Sequence, residues 1–228
     1  MKKLVITIDG PAGAGKSTVS KILAVRLGYR YIDTGALYRA VAYEAKRSGV
    51  NPDDQDDALE YVCRHLDIKF VSEKNGQRLI VNGSDITDFI RTPEVTMLSS
   101  AVSARAVVRK YLFDLQREMG KGRGAVFEGR DMGTVVFPDA DIKFFLDAAS
   151  HTRALRRFNE LKSQPAINLE KVERDILRRD HNDSTRNLAP LIPAQDAVII
   201  DSTDLNAQQV VEHMISYIRM RLVEGLED

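Results

Sequence analysis

The chain predicts a doubly wound α/β fold, and three observations carry that expectation. Short runs of branched and aromatic residues alternate with helix-length segments along 228 residues. Several runs end in an acid, at Asp9, Asp33, Glu128, Asp147 and Asp201. The first run, Leu4-Val5-Ile6-Thr7-Ile8, feeds through Asp9 into Gly10-Pro11-Ala12-Gly13-Ala14-Gly15-Lys16-Ser17-Thr18 and then into a helical segment. That stretch matches G-x-x-x-x-G-K-[ST] in the strand–turn–helix context a P-loop requires. Its glycines let backbone N–H groups converge on phosphate oxygens beside the positive end of a helix dipole. Lys16 is expected on the β/γ-phosphates and the Ser17 hydroxyl on Mg²⁺. The fold class is therefore a P-loop NTPase-type parallel sheet flanked by helices.

Each element follows in order. Ser17 to Leu27 continues the loop as a helix; Tyr29-Arg30-Tyr31-Ile32 is a strand, and Ala36 to Arg47 a helix. From about Asp67 to Asp85 the alternation breaks: Ile68-Lys69-Phe70-Val71 and Arg78-Leu79-Ile80-Val81 flank the hairpin signal Asn75-Gly76, and Asn82-Gly83 marks a second turn. Residues 51–93 are accordingly expected to form an inserted α+β subdomain. Val95 to Gly120 has helical length, and Gly120-Lys121-Gly122-Arg123-Gly124 is expected as a loop because no helix follows it at once. The strands Ala125-Val126-Phe127, Ile142 to Leu146 and Ala197 to Ile200, with helices His151 to Ser163 and Ala207 to Leu222, complete the alternation. The core is assigned to residues 1–50, 94–150 and 190–228, and residues 151–189, broken at Gln164-Pro165, to an arginine-rich lid.

Composition excludes several classes. Thirty-three basic and 33 acidic residues cancel, so no global charge recommends nucleic acid or an anionic membrane. One cysteine, Cys63, excludes an intramolecular disulfide framework and reads as a small apolar helix residue. The four histidines show no metal-ligand spacing. No charged-then-apolar leader precedes Leu4 and no apolar run approaches the ~20 residues of a membrane span, so a cytoplasmic location is expected.

In an open α/β sheet ligands bind outside the carboxyl ends of the strands, and three further clusters are placed there or nearby. In Asp33-Thr34-Gly35-Ala36-Leu37-Tyr38-Arg39, Asp33 or Thr34 can cap a helix while Arg39 lies one turn along, near the same N-terminus. In Glu128-Gly129-Arg130-Asp131-Met132-Gly133-Thr134, the arginine suits a phosphate and the aspartate an exocyclic amine. The basic cluster Arg153, Arg156 and Arg157 is followed by Arg174, Arg178, Arg179, Asp180, Asp183 and Arg186 up to Ala189-Pro190-Leu191. Arg174 and Arg178 are read as a solvated face; the remaining arginines suit the charge of a phosphoryl transfer. Neither Asn-Lys-x-Asp nor Asp-x-x-Gly is present, so guanine readout by those motifs has no support.

Assembled, these clusters resemble bacterial cytidylate kinases of the nucleoside monophosphate kinase superfamily. The resemblance rests on Ile8 to Gly13, Asp33 to Arg39, Gly129 through Asp139-Ala140, and Arg179-Asp180 through Asp183 and Arg186 to Pro190-Leu191. It implies transfer of a phosphoryl group from MgATP to CMP or dCMP, with residues 51–93 as the monophosphate-binding insertion. Gly10 to Thr18 would hold ATP, and Arg153 and Arg157 would belong to the lid. Thr34, Arg39, Arg130 and Arg186 would hold the CMP phosphate, with Tyr38 walling the pocket. Ser100, or Ser99 one residue away, would read cytosine with Arg109 and Asp131, and Arg179 and Asp183 would contact the sugar. The partners implied are small molecules only, with no nucleic acid and no membrane, and the chain is expected as a monomer. Two alternatives stay open: a P-loop kinase for UMP, dTMP or a non-nucleotide acceptor, and a nucleotide-dependent switch or binding module.

Overall fold

Every residue of β1 (Val5–Asp9) is buried, as a strand covered on both faces of a parallel sheet must be. The same holds for β6 (Ala125–Glu128), and β7 (Ile142–Asp147) is buried up to its last residue. These three, with β2 (Arg30–Asp33) and β8 (Val198–Asp201), form a five-stranded sheet in the order β2-β6-β1-β7-β8. β1 runs parallel to β6, with Ile8 opposite Glu128, and parallel to β7, with Asp9 opposite Phe145. This registry brings the carboxyl ends of β1 and β6 together, so the acids that close those strands border one another. The computed structural model describes residues 3–51, 56–73, 76–161 and 168–224. Within it the chain divides into two compact units, Met1–Ile32 with Gly122–Asp228, and Asp33–Lys121.

In the first unit α1 (Lys16–Leu27) and α8 (Ala207–Glu224) share the core of the sheet, while α6 (Ser150–Leu161) and α7 (Leu169–Thr185) pack on each other around Ala154, Val172 and Ile176. Ile6, Ile8, Leu23, Phe144, Leu146, Val211 and Met214 are fully buried in the sheet's core. Gly28 ends α1 in the left-handed region, φ +63°, returning its N–H to Ala24 and Val25. The expected Gln164-Pro165 break lies outside the described residues.

The second unit has its own core, centred on Leu37, Val41, Leu59, Val102, Val108 and Leu112. It comprises α2 (Thr34–Arg47), α3 (Asp56–Arg64), α4 (Pro93–Ser103) and α5 (Ala106–Lys121) around an antiparallel sheet. That sheet is β3 (Ile68–Glu73), β4 (Gly76–Val81) and β5 (Ser84–Asp85), with Phe70 opposite Leu79. Asn82 and Gly83, at φ +48° and +79°, make the second turn the sequence signals; Asn75 of the first lies outside the described residues. Residues 51–93, read as an insertion, thus supply α3, the small sheet and the approach to α4 inside a unit that also takes in α2 and α5.

Two expectations are corrected. The segment Val95 to Gly120 is two helices, because α4 closes at Ser103 with the Ala104 and Arg105 N–H groups turned back to Ala101 and Val102. Gly120-Lys121 closes α5 rather than opening a loop. The short link beyond it is held down, since Arg123 donates Nε to the Lys3 carbonyl at 2.7 Å and pairs with Asp141. Cys63 is buried as expected, and burial pushes its thiol up to about 11.

Candidate active site

The phosphate loop leaves β1 at Gly10, whose φ of +144° and contact with β7 leave no room for a side chain: an added Cβ would stand 2.0 Å from the Leu146 carbonyl oxygen. Gly13, at φ +77°, lies on the backbone of α6, its would-be Cβ 2.9 Å from the Arg153 carbonyl oxygen. Gly15, at φ +89°, turns the chain into α1. Each glycine sits where the loop needs left-handed backbone or close approach. Lys16 is buried, and its Nζ donates to the Pro11 carbonyl at 2.6 Å across the loop it belongs to. Burial, then the neighbouring Arg130 guanidinium, push this ammonium well below the usual lysine range, against the opposing pull of Glu128.

Ser17 Oγ donates to Glu128 Oε1 at 2.7 Å, and Tyr31 OH donates to the same oxygen at 2.9 Å. Glu128 was legible in the sequence only as an acid ending a strand, and the structure gives it the hydroxyl proposed for the metal. A serine hydroxyl beside a carboxylate is an oxygen donor set suited to a hard cation that keeps most of its waters. The site thus fits Mg²⁺ carried in with phosphates, and among the described residues no group of His, Cys, Asp and Glu forms a metal cage.

Behind the loop, Asp9 Oδ1 accepts the Met132 N–H at 2.9 Å and Oδ2 accepts the Gly133 N–H at 2.7 Å. These amides open a π-helical turn, Met132–Val136, in which the Val136 N–H reaches the Asp131 carbonyl. Such turns are uncommon and concentrate at functional sites. Burial raises the Asp9 carboxyl to about 6; the two N–H groups and Lys16 oppose the rise and Asp131 adds to it. Because the folded value lies above the ordinary one, the resulting stabilisation is complete below about pH 4 and is lost as pH rises through about 6. Relative to Asp9→Asn, the native protein should lose on the order of 3 kcal/mol between pH 4 and pH 7. Carbon-13 NMR of the Asp9 carboxyl should show a midpoint near 6; a midpoint at its ordinary value removes this account.

On the same unit, Asp183 gathers three arginines. Arg130 Nε donates to its Oδ2 at 2.9 Å, Arg179 lies at 3.9 Å, and Arg186 Nη1 stands 3.8 Å from Oδ1. Burial pushes the Asp183 carboxyl up, but Arg130, Arg179 and Arg186 outweigh it and hold the group below the usual carboxylate range. Arg186 Nη2 also stands 3.6 Å from Asp131, and its Nε donates to the Ala189 carbonyl at 2.8 Å. The Ala189-Pro190-Leu191 stretch therefore serves to hold Arg186, as the return of the Leu191 N–H to the Asp183 carbonyl also does.

The arginines assigned from the sequence to a lid divide. Arg153 is buried and donates to the carbonyls of Ala148 and Ala12 and pairs with Asp180. Arg156, named in the sequence without a role, donates to the Ser202 hydroxyl and carbonyl. Arg157 is half-buried and pairs with Glu160. Arg174 and Arg178 are exposed, as a solvated face should be.

In the second unit Asp33, not Thr34, caps α2: its Oδ1 accepts the Ala36 N–H at 2.9 Å while Oδ2 takes Arg39 Nη2 at 2.8 Å. Gly35 permits this, since a Cβ there would lie 3.0 Å from Arg39 Nη1. Burial would raise the Asp33 carboxyl, but Arg39, the Ala36 N–H and Arg91 prevail and lower it; Arg91 is a neighbour the sequence did not single out. Thr34 is buried at the start of the same helix. Arg109 lies over the Tyr38 ring, 5.7 Å from its centroid, and donates to the Ser103 carbonyl. Ser99 is buried with its hydroxyl on the Thr96 carbonyl, whereas Ser100 is half-buried one position on.

A model of the cytidylate kinase family matches residues 6–220. A cytidylate kinase of Geobacter sulfurreducens is 51% identical over 219 residues, 96% of this chain and 94% of that one. Another, of Citrifermentans bemidjiense, is 48% identical over 223 residues, 97% and 95% of the two chains. Among solved structures, a gluconokinase from Sinorhizobium meliloti superposes with a TM-score of 0.51 at 14% identity, covering 99% of this chain and 96% of that one, a likeness of fold alone. Kinship at this level over nearly the whole length shows that the chain belongs to the cytidylate kinase family, a family of nucleoside monophosphate kinases.

Proposed function

We propose that this enzyme transfers the γ-phosphoryl group of MgATP to the 5′-phosphate of CMP and dCMP, giving ADP with CDP or dCDP. The single observation that carries the reading is the pairing of a phosphate loop with the Asp183-centred arginines on one unit. A loop alone binds a donor; three arginines held around a buried carboxylate supply an anion site that hydrolysis of a triphosphate would not need.

The acceptor oxygen is already an anion, so the reaction needs no general base and rests on positioning and charge. Gly10 to Thr18 hold the donor phosphates by backbone N–H groups, and Lys16 meets the transferring group. The Ser17 hydroxyl, with Glu128 behind it, would hold Mg²⁺, which when bound would supply positive charge against the charge that develops in transfer. Arg130 and Arg186 hold the acceptor phosphate, to which Thr34 and Arg39 are also assigned, and Tyr38 walls the pocket. Asp131 takes the cytosine amine, with Arg109 and Ser100 completing base readout; the hydroxyl of Ser99 is already engaged with backbone, which favours Ser100. Arg179 and Asp183 contact the sugar, Asp183 doing so while it orders the arginines. Arg153 and Arg157 act on the donor side, Arg153 from its fixed place on the loop.

An ADP-release assay across CMP, dCMP, UMP, dTMP, AMP and shikimate tests the reading. The cytidine pair should lead on kcat/KM, and preference for any other acceptor overturns it. In the same assay Asp131→Ala should lower kcat/KM for CMP by about a hundredfold, the scale of a lost buried charged contact, with ATP binding within about threefold of native. Equal losses on both substrates would remove Asp131 from base readout.

A further inference from the structure

Asp180 has no part in the substrate contacts assigned above, yet through it α7 meets the phosphate loop. Its Oδ1 accepts the Ala12 N–H at 3.1 Å, and its Oδ2 pairs with Arg153. Arg153 in turn donates Nη1 to the Ala12 carbonyl at 3.0 Å and Nε to the Ala148 carbonyl at 2.8 Å. Both polar groups of Ala12 are thus gripped by two opposite charges that also grip each other. Exposed ion pairs contribute little, but the side chains of Arg153 and Asp180 are only 8% and 17% exposed, where charge-assisted bonds are stronger and a lost partner is costly. Gly13, which follows Ala12, supplies no rigidity of its own, since glycine has the widest conformational freedom, and Pro11 before it fixes only its own φ. Within the loop Lys16 holds the Pro11 carbonyl; from outside it, this pair holds Ala12.

We propose that Asp180 is a positioning residue, fixing Ala12 and Arg153 so that the phosphate loop meets the donor in its working geometry. This rests on the donor assignment of the loop and of Arg153, not on the identity of the acceptor. Asp180 stands one helical turn from Asp183, which holds the acceptor arginines, and that neighbourhood supplies a control. A loosened α7 would disturb both substrates, whereas a positioning role touches the donor alone.

The test is Asp180→Asn, which keeps shape and one acceptor oxygen but removes the charge. The affinity for a fluorescent methylanthraniloyl-ATP should fall about tenfold, and kcat/KM for ATP by at least as much. The Kd for CMP, by calorimetry, should stay within about twofold. Added to Arg153→Ala, the same change should cost no more than about a further twofold, because the two side chains act as one unit. Native affinity for the ATP analogue, or matching losses for ATP and CMP, overturns the proposal. Should the native enzyme fail to phosphorylate CMP while Asp180→Asn still weakens analogue binding, the acceptor reading falls and the role of Asp180 stands.

Discussion

Methionine in place of Lys16 is expected to lower kcat by about a thousandfold while leaving the fold at least as stable as the native one. Lys16 is 8% exposed, and its ammonium faces the Pro11 carbonyl and the unfavourable field of Arg130 and Arg179, which Glu128 and Asp9 oppose. Burial disfavours the charged form most of all, so the native fold carries a penalty there that an unbranched apolar side chain of similar length does not incur. In the proposed reaction the same charge would face phosphate oxygens, most favourably as charge shifts in transfer. A residue that costs the fold stability and favours the reaction is expected where catalysis has set the residue's identity. Steady-state kinetics and thermal melting of Lys16→Met together check the argument. A variant that loses stability along with activity would mean that Lys16 is structural, and its burial would need another explanation.

The parts of this site differ in how they are written into the chain. The loop's motif is local: its glycines, its lysine and the strand before it are contiguous, although Leu146, Arg153 and Asp180 seat it from afar. The acids at strand ends were visible for a similar reason, since a short apolar run followed by an acid places that acid at the sheet edge whatever the rest of the chain does. What could not be read was which of them meet. Glu128 reaches Ser17 only because β6 lies beside β1, with Glu128 opposite Ile8. Asp180 reaches Ala12 across 168 positions, and no local period announces such a contact. Arg153 shows the limit from the other side: its place in a basic helical run suggests a lid arginine, and the structure buries it against the loop. The break of the long helical segment at Ala104 was hidden because neither Ala104 nor Arg105 disfavours a helix, so the turn comes from packing and not from propensity.

Gly10→Ala is expected to be the most damaging small substitution in the chain, costing about 4 kcal/mol or more of stability. The new methyl would stand 2.0 Å from the Leu146 carbonyl oxygen, far inside contact distance, and 3.0 Å from its carbonyl carbon. Neither partner can yield: Leu146 belongs to β7, whose backbone is held between β1 and β8, so relief requires separating strands or moving the loop. The φ of +144° adds strain of its own for any residue with a Cβ. Against a total stability of ~5–15 kcal/mol, such a loss removes about a quarter or more of the margin that keeps the fold. Gly28→Ala separates the two contributions, since it has positive φ, +63°, but nothing within 4 Å of the added carbon. It should cost only ~1–2 kcal/mol. Urea unfolding of both variants reads the difference, which holds the overlap together with the greater backbone strain of φ +144°. If Gly10→Ala unfolds at the same urea concentration as Gly28→Ala, the strands must part more easily than a close-packed sheet allows. The loop would then owe its shape to glycine's freedom rather than to its seat against β7.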